Sequence, residues 1–224
     1  MRFRLGLILA IVVVLAFSME ASAKLAPGDY IDIKSHWAEP EIQTAYNLGI
    51  MQGTAVTAQG FKVFTPEGKV NRAQLASVLV RTFKLDFGDI RFFKQPEATD
   101  YFSDVDNQAW YAEDAIICAI NKIFISTGDR SFSPDTSVTR LEVAHAVQHS
   151  FEAKAITVPM IMVMPNYADM LSRSQEAINA MVFVSNTGIM KGDGKLFRPD
   201  DTITRAELAA VVTRCHRLIE LNQQ

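Results

Sequence analysis

The stretch Phe197-Arg-Pro-Asp-Asp-Thr-Ile-Thr-Arg-Ala-Glu207 decides the fold, because the chain carries it three times. Phe132-Ser-Pro134 followed by Val138-Thr-Arg-Leu-Glu142 has the same plan, and so has Phe64-Thr-Pro66 followed by Val70-Asn-Arg-Ala-Gln74. Arg72, Arg140 and Arg205 are 68 and 65 residues apart, and Pro66, Pro134 and Pro199 repeat both intervals. A register kept over such distances marks an internal repeat whose copies stack to bury a common core.

Each copy specifies a helix start. Proline forbids a helix running through it. Asn71, Thr139 and Thr204 then stand as N-caps, with Gln74, Glu142 and Glu207 three residues later as the second half of a capping box. Apolar residues follow at helical spacing: Leu75, Val78 and Leu79; Val143, Ala146 and Val147; Leu208, Val211 and Val212. A short helix cannot bury such a stripe alone.

Upstream, the copies share Tyr30-Ile-Asp-Ile, Phe102-Ser-Asp-Val and Tyr167-Ala-Asp-Met, and then a step at Gly49-Ile50, Ile123 and Gly188-Ile189. Trp37 and Trp110 stand thirteen residues before Ile50 and Ile123, where the third copy has Glu176. Each unit reads as helix–loop–helix. The expected fold is mainly α, with three such repeats in a pseudo-threefold, three-lobed arrangement around a shared helical core. The expected boundaries are 27–84, 99–152 and 166–218, with connectors at 85–98 and 153–165 and a tail at 219–224. The longer first loop, Thr54 to Gly60, is expected to protrude or move. The first connector, with Phe87, Phe92 and Phe93, reads as a packed strap; Ile156 to Pro165 reads as an extended, buried connection.

Arg2 and Arg4, the apolar run Leu5–Phe17 and the small residues Ala21-Ser-Ala23 read as a cleavable leader over 1–23. The run is too short to span a bilayer, which takes about 20 apolar residues. A net charge of −3 argues against a nucleic-acid partner, while leaving room for a local basic pocket. Cys118 and Cys215 are too few for a disulfide framework; they either pair or remain buried thiols.

These landmarks resemble the S-layer homology family, over about Pro27 to Leu218. Phe197-Arg-Pro199 with Ile203-Thr-Arg-Ala-Glu207 matches the family signature most closely; Leu141 and the Asn71-Arg-Ala-Gln74 variant depart from it. The resemblance implies a noncovalent binding module of the bacterial envelope, exported to the cell wall or surface, with grooves between adjacent lobes. The implied ligand is a wall polysaccharide with acidic substituents, commonly a pyruvate ketal, or modified peptidoglycan. Other envelope proteins are possible partners, and a protein–protein scaffold without glycan binding is the alternative. Neither a cofactor nor a catalytic role is expected.

The candidate ligand-binding residues are Arg72, Arg140, Arg205, Trp37, Trp110, Asp32, Asp104, Asp169, Gly53, Gly128 and Gly192. Capping explains Thr and Glu of the motif but not its arginine. A cation in the first helical turn faces the positive end of the helix dipole, a cost of several tenths of a kcal/mol. Either an anion binds there, or the arginine pairs with Asp32, Asp104 or Asp169. The tryptophans are either core residues or sugar platforms. The aspartates also suit turn bracing, and the glycines backbone conformation. His145 and His149 have a zinc-compatible spacing, but only Glu142 stands near them in sequence, so no metal site is expected.

Overall fold

The computed structural model describes residues 25–124, 128–160 and 163–222. The leader at 1–23 lies outside them. In chain order the elements are α1 (Glu39–Asn47), β1 (Ala55–Val56), β2 (Lys62–Val63), α2 (Arg72–Phe83), α3 (Ala98–Tyr101), α4 (Ala112–Ile120), α5 (Arg140–Ala153), α6 (Gln175–Asn186) and α7 (Arg205–Leu221). The protein is mainly helical, and none of the described helices is long and apolar enough to cross a membrane.

All three capping boxes form. Asn71, Thr139 and Thr204 accept from the amides of Gln74, Glu142 and Glu207, whose side chains reach back to the cap amides. The stripes that follow are buried without exception: Leu75, Val78 and Leu79; Val143, Ala146 and Val147; Leu208, Val211 and Val212. Burying each large member of such a stripe contributes about 1.5–3 kcal/mol.

What these stripes bury against lies in another repeat. α1 packs on α7, α4 on α2 and α6 on α5, so each repeat's first helix covers the second helix of a different copy. Among the described residues, the two long helices of one repeat (α1 and α2, α4 and α5, α6 and α7) bring no Cα atoms within 8 Å of each other. α2 also packs on both α5 and α7, whereas α5 and α7 make no such approach.

Hydrogen bonds close a ring where the second helices begin. Val138 N donates to the carbonyl of Val70 at 2.9 Å, Ile203 N to that of Val138 at 3.1 Å, and Val70 N to that of Ile203 at 3.2 Å. The chain thus returns on itself: the segment before α7 pairs with the segment before α2.

The joints differ from their sequence reading. The long first loop is a small antiparallel hairpin, Ala55 opposite Val63, because Thr54 N donates to Val63 O and Thr57 N to Phe61 O across it. In the first connector Phe87 meets Phe92 edge to face at 5.6 Å, but Phe93 is fully exposed. The second connector has no regular structure among its described residues and buries Val158, yet Val163 and Met164 are exposed, so these residues are not the wholly buried connection expected. Both cysteines are free and buried, one on α4 and one on α7. Desolvation raises both thiol pKa values far above normal, which leaves them inert.

Candidate functional site

The Phe-x-Pro turn is built the same way in each repeat. Phe64, Phe132 and Phe197 are buried, and the residue after each, Thr65, Ser133 and Arg198, has a positive φ of 55–59°. The shared aspartate holds that strained turn. Asp32 accepts from the amides of Phe64 and Thr65, Asp104 from Phe132 and Ser133, and Asp169 from Phe197 and Arg198, at 2.6–3.1 Å. Ser131 Oγ adds a bond to Asp104 at 3.0 Å. Burial alone would raise the Asp104 pKa, but these donors outweigh it and hold the carboxyl below its usual range.

The arginines meet this turn in the neighbouring repeat. Arg205 donates from Nε to Phe64 O at 2.8 Å and from Nη2 to Gln52 O at 2.6 Å, and its guanidinium lies 4.4 Å from the centroid of the Phe64 ring. Arg140 repeats the pattern on the third repeat, with Nε to Phe197 O at 3.0 Å, Nη2 to Lys191 O at 3.0 Å, and the Phe197 ring at 5.1 Å. Arg72 faces Phe124 at 4.7 Å and Phe132 at 5.9 Å. It differs in that its Nε is buried with no partner. Burial lowers the pKa of all three arginines, although an Arg remains charged at any physiological pH.

The carboxylate partners are not those anticipated from the sequence. Arg72 Nη1 is 3.3 Å from Glu142 and Arg140 Nη1 is 3.7 Å from Glu207. Each acid is thus shared between its own capping box and the arginine of the preceding repeat. The first repeat has Gln74 at this position, and among the described residues Arg205 has no ion pair. Asp32, Asp104 and Asp169 are turned to backbone amides. The dipole misfit is offset across the repeat boundary, by carbonyls and an aromatic face at Arg140 and Arg205, and by Glu142 and two aromatic rings at Arg72.

Each arginine also sits beside a loop glycine of the next repeat. Arg72 and Gly128 line a groove of about 830 Å³ with Phe102, Phe124, Phe132 and Arg130. Arg140 and Gly192 line a smaller groove of about 400 Å³, where Lys69, Lys191 and Arg198 outnumber Asp201 and Glu207. Gln52, which receives Arg205, precedes Gly53. At Gly53 a Cβ would fall 2.7 Å from Val63 O, and at Gly192 2.1 Å from Leu196 O, so both loops close too tightly for a side chain. Gly192 N also donates to the Tyr167 hydroxyl at 3.0 Å.

Trp37 and Trp110 are surface residues, 58 % and 65 % exposed, which rules out the core reading. They line neither groove. Trp37 lies 5.6 Å from the His36 ring, whose Nε2 meets Glu67 at 2.9 Å, and Trp110 packs edge-on against Tyr111. Sequence reading missed Lys69 and Lys191. A lysine directly before the loop glycine was the visible signal for the second; nothing local points to the first, which arrives from another repeat.

The family model of the S-layer homology domain matches this chain three times, over residues 29–76, 101–144 and 166–209. The chain belongs to the S-layer homology domain family. The matched spans hold the aspartates, turns, capping boxes and arginines described above. Among proteins similar to it are the S-layer protein sap of Bacillus anthracis, 32 % identical over 55 % of this chain, and the surface-layer 125 kDa protein of Lysinibacillus sphaericus, 25 % identical over 80 %. An amylopullulanase of Thermoanaerobacterium thermosulfurigenes is 30 % identical over 57 %. The matched region spans 14 %, 14 % and 7 % of these relatives, so this chain covers only a small part of each.

Proposed function

We propose that this chain is a noncovalent binding module for an acidic bacterial wall polymer and anchors an envelope assembly at the cell surface. The observation that carries this reading is the groove between the second and third repeats. Four cations, Lys69, Arg140, Lys191 and Arg198, face two acids there, in a chain whose net charge is −3. Such local excess of one sign attracts an anion that the whole molecule would repel. The exposed Lys191 ammonium and the edge of the Arg140 guanidinium are the donors for a carboxylate substituent, such as a pyruvate ketal on an amino sugar, or for an acidic group of modified peptidoglycan. Membership of the S-layer homology family and similarity to two surface-layer proteins support the same reading. The three lobes are taken to be arranged in pseudo-threefold fashion, which the ring at Val70, Val138 and Ile203 supports. The arginines and glycines shape the grooves. The aspartates act through the turns, and exposed Trp37 and Trp110 offer indole faces to sugar rings outside them.

The test is sedimentation with purified sacculi before and after the wall polysaccharide is stripped chemically. Binding is expected to need the polysaccharide or its acidic substituent. Lys191→Ala should weaken it about ten- to hundredfold, the worth of a charge-assisted hydrogen bond of roughly 1.5–3 kcal/mol. Equal binding to stripped and intact sacculi would point to peptidoglycan as the polymer, binding to neither would favour a protein-binding scaffold, and release of soluble sugar would indicate catalysis.

A further inference from the structure

α6 departs from its counterparts at its start. It begins at Gln175, about one turn earlier relative to Ile189 than α1 and α4 begin relative to Ile50 and Ile123. Ser174 caps the added turn, accepting from Ala177 N. Glu176 lies in that turn, at the position where the other repeats have tryptophan. Because α6 packs on α5, the turn brings Glu176 to two histidines spaced four apart on one face of α5. One nitrogen each of His145 and His149 and a carboxylate oxygen of Glu176 lie within 4.8 Å of one another.

We propose that His145, His149 and Glu176 form a three-ligand site for a divalent transition-metal ion, zinc foremost, joining the second repeat to the third.

The histidines are not ordinary core residues. His145 is only 6 % exposed, and its Nδ1 is buried without a hydrogen-bond partner. A buried polar atom normally has one, and a metal ion bound at that nitrogen would supply it. His149 Nδ1 is 3.1 Å from Ile123 O. A carbonyl only accepts, so Nδ1 carries the proton and Nε2 keeps its lone pair. This is the support that fixes the tautomer of a metal-bound histidine.

Two imidazoles and one carboxylate suit zinc and its neighbours rather than calcium or magnesium, which prefer oxygen alone. Tetrahedral bonds of about 2.0–2.1 Å put ligand atoms roughly 3.3 Å apart. The present atoms all lie within 4.8 Å of one another, and the exposed Glu176 side chain has room to approach both histidines. His149 and Glu176 both line the larger groove. The fourth coordination position therefore opens there, available to water or to an anionic group of a bound molecule, on the groove that Arg72 also lines.

The experiment is calorimetric titration of the untagged protein with zinc chloride in chelator-free buffer, without glycan, so its outcome is independent of wall binding. One zinc per chain is expected, with a melting temperature that rises and returns on adding EDTA. Magnesium and calcium should give no such signal. Glu176→Gln and His149→Gln should each weaken zinc about tenfold or more, whereas His36→Gln, which disrupts the separate His36–Glu67 pair, should not. X-ray absorption of the zinc form should show two imidazoles. Failure to bind zinc at one equivalent, or binding left unchanged by both Glu176→Gln and His149→Gln, would overturn the proposal, as would binding lost in His36→Gln.

Discussion

Arg205 Nε donates to the carbonyl oxygen of Phe64 at 2.8 Å across 141 residues of sequence. With its Nη2 bond to Gln52 O and its stacking over the Phe64 ring, this one side chain joins the last helix to the first repeat. It is only 8 % exposed, so the contacts are made largely out of water, where unmet donors and acceptors are costly.

Arg205→Ala should therefore destabilise the whole fold. Losing two charge-assisted bonds and a cation–π contact is expected to cost about 2–4 kcal/mol, a drop of about 5–15 °C in a chain of this size. Arg205→Lys should recover part of it, since an ammonium reaches one carbonyl but not the planar pair. Thermal denaturation followed by circular dichroism reads the difference; a variant that melts with the wild type would show that the ring of repeats needs no arginine clamp. Arg72→Ala should cost less, because it also removes an Nε that has no partner.

No single repeat should fold alone. The third repeat with the tail that follows it, 167–224, contains α6 and α7, whose packing partners α5 and α1 belong to the other two. Expressed by itself it exposes both stripes, and its proton NMR spectrum is expected to be poorly dispersed. A well-dispersed spectrum would mean that the two helices can cover each other, contrary to their separation here.

Both tryptophans should behave as surface residues. Emission of the free protein is expected near that of indole in water and should be quenched readily by iodide. If sugar rings stack on them, soluble wall polysaccharide should shift the emission, and Trp110→Phe should reduce the shift. Binding seen by calorimetry with no change in emission would place the glycan in the grooves alone, away from both rings.

Stability should fall in acid through the turn aspartate Asp104. The folded state lowers the Asp104 pKa through the amides of Phe132 and Ser133 despite the opposing effect of burial. A depressed carboxylate stabilises the fold fully above the unfolded Asp range, near pH 4, and that contribution is lost as pH falls through the lower native value. Asp104→Asn should melt lower at neutral pH and show a flatter decline below pH 4. An unchanged acid profile would mean that other carboxylates dominate it.

The sequence by itself determined the local half of this protein. A proline, an N-cap and an acid or amide three residues on specify a helix start wherever they occur, because cap and box close within one turn of chain. The buried stripes were equally legible, since 3.6-residue spacing fixes which side chains share a face. The tertiary structure alone decided what each face meets. An apolar stripe accepts any complementary surface, so nothing in the period of α2 selects α4 over its own partner α1. The arginines show the same division. Their place at the first helical position was plain, and so was their misfit with the dipole. Their destination was not, because a guanidinium on a long side chain takes whichever carbonyls and ring the next repeat brings within reach. Glu176 was visible only as a missing tryptophan. Its meeting with His145 and His149 depends on one extra turn of α6 docking against α5, a contact set by packing between repeats.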